Sequence, residues 1–451
     1  MADSAPKVAE KERREPQDVV DGKAQELVDE IKRSKHFIAF TGAGISTSAA
    51  CWAKDGQNLI PTSRNPDFRG PEGAWTLRAQ GRQRTGKTTS TLQAIPTKTH
   101  MALVELQNRG ILKYLVSQNC DGLHRKSGIL PDRISELHGN SNREYCKDCG
   151  KEYLRDFRAV ASYEKTVRDH RTGRKCAICG GTLLDTIINF GEYLFAEPLQ
   201  RARDNAKKAD LCLALGSSLT VPPACTIPES VGEKKRSRAN PEGGLLVICN
   251  LQSTPLDHLS TGLRVWATTD DLMERVMEKL GLQIPEFVLR RRLVVELEAV
   301  GDERFQVEVR GVDVDGTPAT FLQSVKMEGS RRWARAEPFV IGFRREPGDE
   351  MDVKLELEFM GHYGEPNLKI VQEYAGEGML EVMYLLEYNP SNGEWNVSKL
   401  DGELPVEGGG ETERDEERED SLMISAEEAG VPSHVVPSSA ASEIIDLTSS
   451  P

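Results

Sequence analysis

The chain has no run of eighteen apolar residues, so nothing in it reads as a membrane-spanning helix. Its opening stretch, MADSAPKVAEKERREP, lacks an apolar core and does not read as a secretory signal. A disulfide framework is missing too: of nine cysteines, four fall in two C-x-x-C pairs, a spacing that points to reduced thiols and metal. No internal repeat is evident. What is present is 451 residues with 38% hydrophobic content, enough for a domain of about two to three hundred residues plus appendages. The net charge of −13 hides a division. Residues 1–282 carry 42 Lys and Arg against 35 Asp and Glu, residues 283–400 carry 14 against 22, and residues 401–451 carry two against 14. A mildly basic body with acidic appendages excludes an acidic binding module throughout and leaves the body open to a polyanionic partner, nucleic acid or nucleosome.

Residues 1–282 alternate short apolar runs with helical patterns, the signature of a parallel sheet with crossover helices. Val20, Ala24, Leu27, Val28 and Ile31 recur at helical spacing ahead of the first strand, Phe37–Phe40. Further buried strands are expected at Tyr114–Ser117, Leu211–Gly216 and Leu245–Asn250, each ending in small or polar residues. In open α/β sheets such carboxyl ends are where ligands bind. Leu293–Val300, Phe305–Val312, Val353–Met360 and Met379–Tyr388 alternate apolar positions between Gly, Pro and Asp turns, which predicts an antiparallel β module without legible chemistry. From Asp401 the chain is rich in Gly, Glu, Ser and Pro and is expected to be disordered.

The first strand feeds Gly42-Ala43-Gly44-Ile45-Ser46, a turn that lets the backbone approach a pyrophosphate. Alone this is a weak signal, since the third glycine of the dinucleotide fingerprint is missing. It gains weight from Asn119, Asp121, Ser217 and Asn250 at the ends of three more strands. A competing match, Gly81-Arg82-Gln83-Arg84-Thr85-Gly86-Lys87-Thr88, fits the P-loop pattern but has no buried strand before it and no helix pattern after it, so it reads as a solvated basic loop.

Cys146-x-x-Cys149 and Cys176-x-x-Cys179, with twenty-six residues between the pairs, make a four-cysteine zinc signature. Four thiolates close the tetrahedron, so one Zn2+ per chain is expected to be structural, with no open position for water. Cys51, Cys120, Cys212, Cys225 and Cys249 read as core or loop thiols. Cys120, near His124 in sequence, is the one that invites a nucleophile reading, and a weak one.

Taken together, G-A-G-I-S at 42–46, P-D-F-R-G at 66–70, S-Q-N-C-D-G-L-H at 117–124, E-L-H-G-N at 136–140, the cysteine pairs, F-G-E at 190–192, G-S-S at 216–218 and N-L-Q at 250–252 resemble a sirtuin. The resemblance covers about residues 20–282 and draws nothing from beyond residue 290. D-T-I-I-N-F-G-E, P-E-G-A-W-T-L and the long spacer between the pairs look most like the nuclear class IV branch, nearest its nucleolar member. The implied fold is α/β: a Rossmann-like parallel sheet with an inserted small zinc-binding module, then a β-rich C-terminal extension and a disordered acidic tail. The domains expected are an N-terminal tail at 1–19, a catalytic domain at 20–282 with the zinc module at about 145–181, the extension at 283–400 and the tail at 401–451.

The resemblance implies a protein lysine deacylase that consumes NAD as co-substrate and releases nicotinamide and O-acyl-ADP-ribose. The substrate would be an acylated lysine on a histone or another nuclear protein, and the location nuclear or nucleolar. ADP-ribose transfer to protein, or a non-catalytic NAD-sensing chromatin scaffold, are the alternatives. By the same carry-over, His138 is the general base, and Asn119 and Asp121 position the nicotinamide ribose and carboxamide. Phe68 shields the reacting carbon and Arg69 reaches the phosphates. Ser217, Asn250 and Thr269 contact the adenosine half, and the F-G-E backbone pairs with substrate as an added strand. The remaining cofactor residues implied are Gly42, Ala43, Gly44, Ser46, Asp67, Gln118, Gly216, Ser218, Leu251 and Gln252. One departure stands out: Cys51–Asn65 intervenes where family members pass within a few residues to P-D-F-R-G, so it falls on the cofactor-covering loop.

Two short segments bear on partners. Glu443-Ile444-Ile445-Asp446-Leu447-Thr448-Ser449-Ser450 resembles a SUMO-interacting motif, which would add a strand to a SUMO sheet edge. Lys234-Lys235-Arg236-Ser237-Arg238 reads equally as a nuclear localisation or nucleic-acid segment and as a solvated loop of the fold.

Overall fold

The computed structural model describes residues 11–49, 51–52, 59–60, 91–161, 168–235, 243–260, 262–301, 303–331, 333–344 and 351–400. The four expected strands appear as Phe37–Thr41, Leu112–Ser117, Leu211–Leu215 and Leu245–Cys249, joined by two short ones, Ile134–Glu136 and Arg264–Val265. All pairings are parallel in one six-stranded sheet. Across the sheet the order is Arg264–Val265, Leu245–Cys249, Leu211–Leu215, Phe37–Thr41, Leu112–Ser117, Ile134–Glu136. This is the order of a doubly wound dinucleotide-binding fold. It reverses between Phe37–Thr41 and Leu211–Leu215, so the residues that follow these two strands open a crevice at the switch point.

Alternation along each strand supplies two cores. Phe37, Ala39, Leu211, Leu213 and Val247 face one side, where helices α1 (Gln17–Arg33), α2 (Lys98–Asn108) and α6 (Thr269–Leu280) pack. Ile38, Phe40, Cys212, Ala214 and Ile248 face the other, against α4 (Ala196–Lys208) and α5 (Thr226–Gly232). Helix α3 (Leu123–Ser127) is a short turn after the Leu112–Ser117 strand. The buried stripe of α1 is Val20, Ala24, Leu27, Val28 and Ile31, the five residues that its periodicity picks out. Among the described residues no helix is long and apolar enough to cross a membrane.

Between Ile134–Glu136 and α4 the chain makes a small antiparallel sheet, Arg143–Cys146, Glu152–Arg155, Arg171–Lys175 and Thr182–Asp185. The β-rich region that follows residue 288 is a sandwich. One sheet has the order Phe339–Arg344, Arg304–Val312, Leu289–Gly301, Met379–Asn389, Glu394–Leu400. The other has the order Trp333–Ala334, Leu322–Met327, Met351–Phe359, Leu368–Tyr374. Leu293, Val295, Val307 and Val309 of the first meet Val325, Val353, Leu355 and Leu357 of the second in a shared core.

The sandwich is not a free appendage. Its Ala319–Thr320 strand pairs in parallel with Glu152–Arg155, giving the small sheet a fifth strand. Buried Arg291 donates to Asp156 at 2.7 Å and to Glu365 at 3.1 Å while lying over Phe321. Tyr363, fully buried, donates to the Ala94 carbonyl at 2.7 Å, and Arg125 of α3 pairs with Asp313. Met101 of α2 completes an apolar cluster with Phe287, Leu289, Tyr363 and Tyr388.

Candidate active site and zinc centre

The two glycine turns at the switch point are packed backbone to backbone. Gly42 N–H donates to the Leu215 carbonyl at 3.0 Å and Gly44 N–H to the Gly216 carbonyl at 2.8 Å. A Cβ on Gly42 would lie 2.8 Å from the Gly216 carbonyl, and one on Gly44 would lie 2.6 Å from the Gly216 Cα. Gly216 itself has φ +61°, so here glycine is required for both space and conformation. Ala43–Ser46 form a short 3-10 turn between these contacts.

The Q-N-C-D loop closes the crevice from the other side. Asn119, buried, donates from Nδ2 to the Gly42 carbonyl at 3.1 Å. Asp121 accepts from Ser46 Oγ at 2.7 Å and from Leu123 N–H at 3.0 Å. Ser217 Oγ donates to Gln118 Oε1 at 2.9 Å, which leaves Gln118 Nε2 buried without a hydrogen-bond partner. An orphaned amide donor among Gly42, Asn119 and Ser217 is what a polar ligand would satisfy, so this donor set fits a dinucleotide.

His138 sits half-buried at the rim, and its Nδ1 lies 3.2 Å from the Gln118 carbonyl. A carbonyl can only accept, so Nδ1 carries the proton and Nε2 holds the lone pair. Burial lowers the His138 pKa below the ordinary imidazole value, with the Gln118 carbonyl opposing, so the neutral form is favoured. Gly139, at φ +80°, lets the Thr186–Ile187 backbone pass where a Cβ would lie 1.8 Å from the Thr186 carbonyl. Ile188 N–H then donates to the His138 carbonyl at 3.1 Å, tying the histidine to the F-G-E segment. Residues 186–195 belong to no helix or strand, and Phe190 and Tyr193 are exposed.

The other sites expected from sequence are spread more widely. Ser218 Oγ pairs with Thr220 Oγ1 at 2.9 Å. Asn250 Nδ2 donates to the Gln252 carbonyl at 3.1 Å, and the Leu251 carbonyl accepts from Arg13 N–H at 2.7 Å. Thr269, the first residue of α6, accepts from Thr99 Oγ1 at 3.0 Å. Asp67, Phe68 and Arg69, the P-loop-like segment 81–88, residues 236–238 and the SUMO-binding candidate at 443–450 lie outside the described residues. Within the inserted segment, Cys51–Trp52 and Leu59–Ile60 form a two-stranded antiparallel ladder. Lys234 is not a free basic contact, because its Nζ donates to the Ala206 and Lys207 carbonyls at the end of α4.

Cys120 is no nucleophile. Its thiol donates to the His138 carbonyl at 3.2 Å, and burial, with the charges of Asp121 and Glu136, pushes its pKa up to about 12. His124 instead bonds Thr41, 2.9 Å away. Sequence reasoning passed over Thr41 and Ser117; the available signal was that each is the last residue of a strand feeding a motif. A cavity of about 810 Å³ lined by Met101, Met277, Leu282 and Phe287 lies away from these groups, between α2, α6 and the approach to the sandwich.

The zinc centre fits its metal. The four Sγ atoms of Cys146, Cys149, Cys176 and Cys179 lie within 4.8 Å of one another. Cys146 to Cys179 is 3.4 Å and Cys149 to Cys176 is 3.6 Å, close to the ~3.8 Å edge of a tetrahedron with Zn–S near 2.3 Å. The two knuckles repeat one geometry: Cys146 N–H donates to the Lys151 carbonyl and Cys176 N–H to the Gly181 carbonyl, both at 2.8 Å. The eight cysteines whose side chains are described are free of disulfides.

A doubly wound sheet with a polar crevice at its switch point and a four-thiolate zinc module beside it defines a nucleotide-dependent enzyme. Residues 63–223 match the model of the Sir2 family. The chain is 36% identical to Arabidopsis thaliana NAD-dependent protein deacetylase SRT1 over 373 residues, covering 76% of this chain and 73% of that one. It is 39% identical to human NAD-dependent protein deacetylase sirtuin-7 over 272 residues, 59% of this chain and 62% of the relative. The solved complex titled "Sir2-p53 peptide-NAD+" is 30% identical, with a TM-score of 0.41 over 57% of this chain and 98% of that chain. The chain therefore belongs to the Sir2 family of NAD-dependent protein deacetylases, with NAD as co-substrate. It spans about six-tenths of the length of the mammalian relatives. The Arabidopsis match covers more of this chain than residues 1–282 can supply, so it runs on into the sandwich, beyond the reach of the motifs.

Proposed function

We propose that this chain removes an acyl group from lysine on a nuclear protein, a histone foremost, with His138 as general base. NAD supplies the ADP-ribosyl acceptor and the nicotinamide leaving group. The observation that carries this reading is the His138 tautomer: with Nδ1–H held by the Gln118 carbonyl, Nε2 is the nitrogen available to take a proton. Asn119 and Asp121 hold the nicotinamide-ribose end, and the Gly42, Gly44 and Gly216 turns and Ser217 receive the phosphates and adenosine. The backbone around Phe190–Glu192 takes the substrate peptide as an added strand. The nuclear location rests on the motif resemblance to the nuclear branch of the family. SUMO binding through Ile444, Ile445 and Leu447, and nucleosome contact through the basic body, rest on sequence pattern.

The test is NAD consumption with acetylated histone peptide, using wild-type chain and His138→Tyr. O-acetyl-ADP-ribose should form only with NAD, and the variant should lose turnover while keeping most NAD affinity. Equal rates in the two proteins would remove His138 from its role. ADP-ribosylated protein with no deacylated lysine would instead support the transferase reading.

A further inference from the structure

Two histidines outside the chemistry just described are packed beneath both cofactor loops. His100 is fully buried and His124 is 2% exposed, with ring centroids 4.8 Å apart. Each has one nitrogen without a partner, Nε2 of His100 and Nδ1 of His124. The remaining bonds fix the tautomer of His124. Thr41 Oγ1 donates to Ser117 Oγ at 3.0 Å, so its contact with His124 Nε2 at 2.9 Å must be accepted from Nε2–H. Ser117 Oγ also accepts Asn119 N–H at 3.1 Å. His124 therefore donates to Thr41 and Thr41 to Ser117, and Ser117 in turn receives the Asn119 N–H, every member of this connected set being buried.

The second histidine serves the other loop. Thr97 N–H donates to His100 Nδ1 at 3.2 Å, and Thr97 Oγ1 donates to the Ile45 carbonyl of the glycine turn at 3.0 Å. Burial drives both imidazoles to pKa values of about 3, so both are neutral near neutral pH.

We propose that His124, acting through Thr41 and Ser117, is a positioning residue that sets the Asn119 backbone and thereby aims its carboxamide at the nicotinamide-ribose end of NAD. The proposal rests on the reading of Asn119 given above. Nothing in the chain of bonds touches substrate; its effect is on where Asn119 stands. Misplacement by a fraction of an ångström at a reacting centre lowers the rate more than it weakens binding.

The test measures nicotinamide release by the full zinc-loaded chain, separating kcat from KM for an acetyl-lysine peptide. Thr41→Val keeps shape and deletes the relay hydroxyl; Ser117→Ala, a smaller change, covers the case in which Thr41→Val fails to fold. Both should lower kcat roughly tenfold or more with KM for the peptide within about twofold. His124→Gln, whose amide N–H can replace the imidazole donor, should keep most of the rate that His124→Leu loses. If His138 is the base, its protonation should set the acid limb of kcat, and that limb should stay in place in Thr41→Val. Folded Thr41→Val and Ser117→Ala with wild-type kcat, beside an inactive Asn119→Ala, would overturn the relay alone. Equal impairment of His124→Gln and His124→Leu would do the same. Wild-type turnover by Asn119→Ala would overturn the underlying reading of Asn119, and the relay with it.

Discussion

The parallel sheet and the β-sandwich are built alike yet end differently. Both bury alternating apolar side chains, Phe37 and Ala39 in one, Val307 and Val309 in the other. In the parallel sheet every strand points the same way, so Gly42, Gly216, Gln118 and Asn250 gather along one edge. In the sandwich neighbouring strands are antiparallel, so their ends scatter over two rims and close in tight turns at Gly316, Gly329 and Gly393. Where it meets the catalytic body it presents Arg291, Asp313, Tyr363 and Glu365, which bond that body or one another instead of lining a crevice. Direction of strands, more than composition, decides which half can assemble a site.

The zinc module belongs to both halves, since its sheet carries the sandwich strand Ala319–Thr320, and losing the metal should be the most damaging single change. Structural zinc is worth roughly 10–16 kcal/mol in isolated finger peptides, so a loss of several kcal/mol is expected here. Cys176→Ser should release one zinc per chain and lower the melting temperature. It should also speed hydrogen exchange at the Leu154 and Asp156 amides, which donate to the Pro318 and Thr320 carbonyls. If those amides stay protected in zinc-free protein, the sandwich holds the module without help from metal. An unchanged melt with zinc still bound would contradict the four-cysteine assignment.

How much could be read beforehand follows the same division. The long parallel strands were legible because uninterrupted apolar runs end in motif residues, and the cysteine spacing alone specified the metal centre. Ile134–Glu136 and Arg264–Val265 were missed because three and two residues carry no period. Four sandwich strands were read, but Leu322–Met327, Phe339–Arg344, Leu368–Tyr374 and Glu394–Leu400 were not. Edge positions such as Glu394–Leu400 are mostly exposed and lose the alternation that marks a buried face. The docking residues were invisible because an ion pair such as Arg291 with Asp156 joins positions 135 apart, and nothing local records it.

Breaking that ion cluster would show whether the sandwich only supports the catalytic body. Burial raises the pKa of Asp156, but Arg291, Lys126 and His362 outweigh it and hold the carboxyl below its usual range. Arg291→Met keeps an apolar stem against Phe321 and removes the guanidinium that pairs directly with both Asp156 and Glu365. Removing one partner of a buried pair costs about 3–5 kcal/mol. Urea unfolding should register this loss, while kcat at low temperature stays within about twofold because no group at the switch point has moved. A folded variant with collapsed kcat would break the contrast and make the sandwich part of the catalytic machinery.

The smallest effect sharpens the contrast, because the lowered histidines that set it all lie in the catalytic body. His100 and His124 accept protons in the unfolded chain near pH 6.5 but in the folded chain only near pH 3. The unfolded state therefore binds more protons between those values. Their contribution to stability is fully present above pH 6.5 and is lost as pH falls toward 3. Each lowered imidazole adds a slope approaching about 1.4 kcal/mol per pH unit once pH is below the unfolded value. Half-buried His36 and His138, also lowered by burial, add in the same direction. His170 opposes them: burial lowers its pKa, but Asp185 and Glu192 outweigh that and raise it, so its share is retained as pH falls. The net expectation is a steady fall in unfolding free energy from pH 6.5 to 5. His100→Asn keeps an oxygen for Thr97 N–H and cannot titrate, so it should flatten that slope whatever it does to stability at pH 8. The sandwich core, built on Val295, Leu357 and their neighbours, contributes nothing to it. An unaltered slope in His100→Asn would mean that the buried pair is protonated in the folded chain, against the burial that keeps both rings neutral.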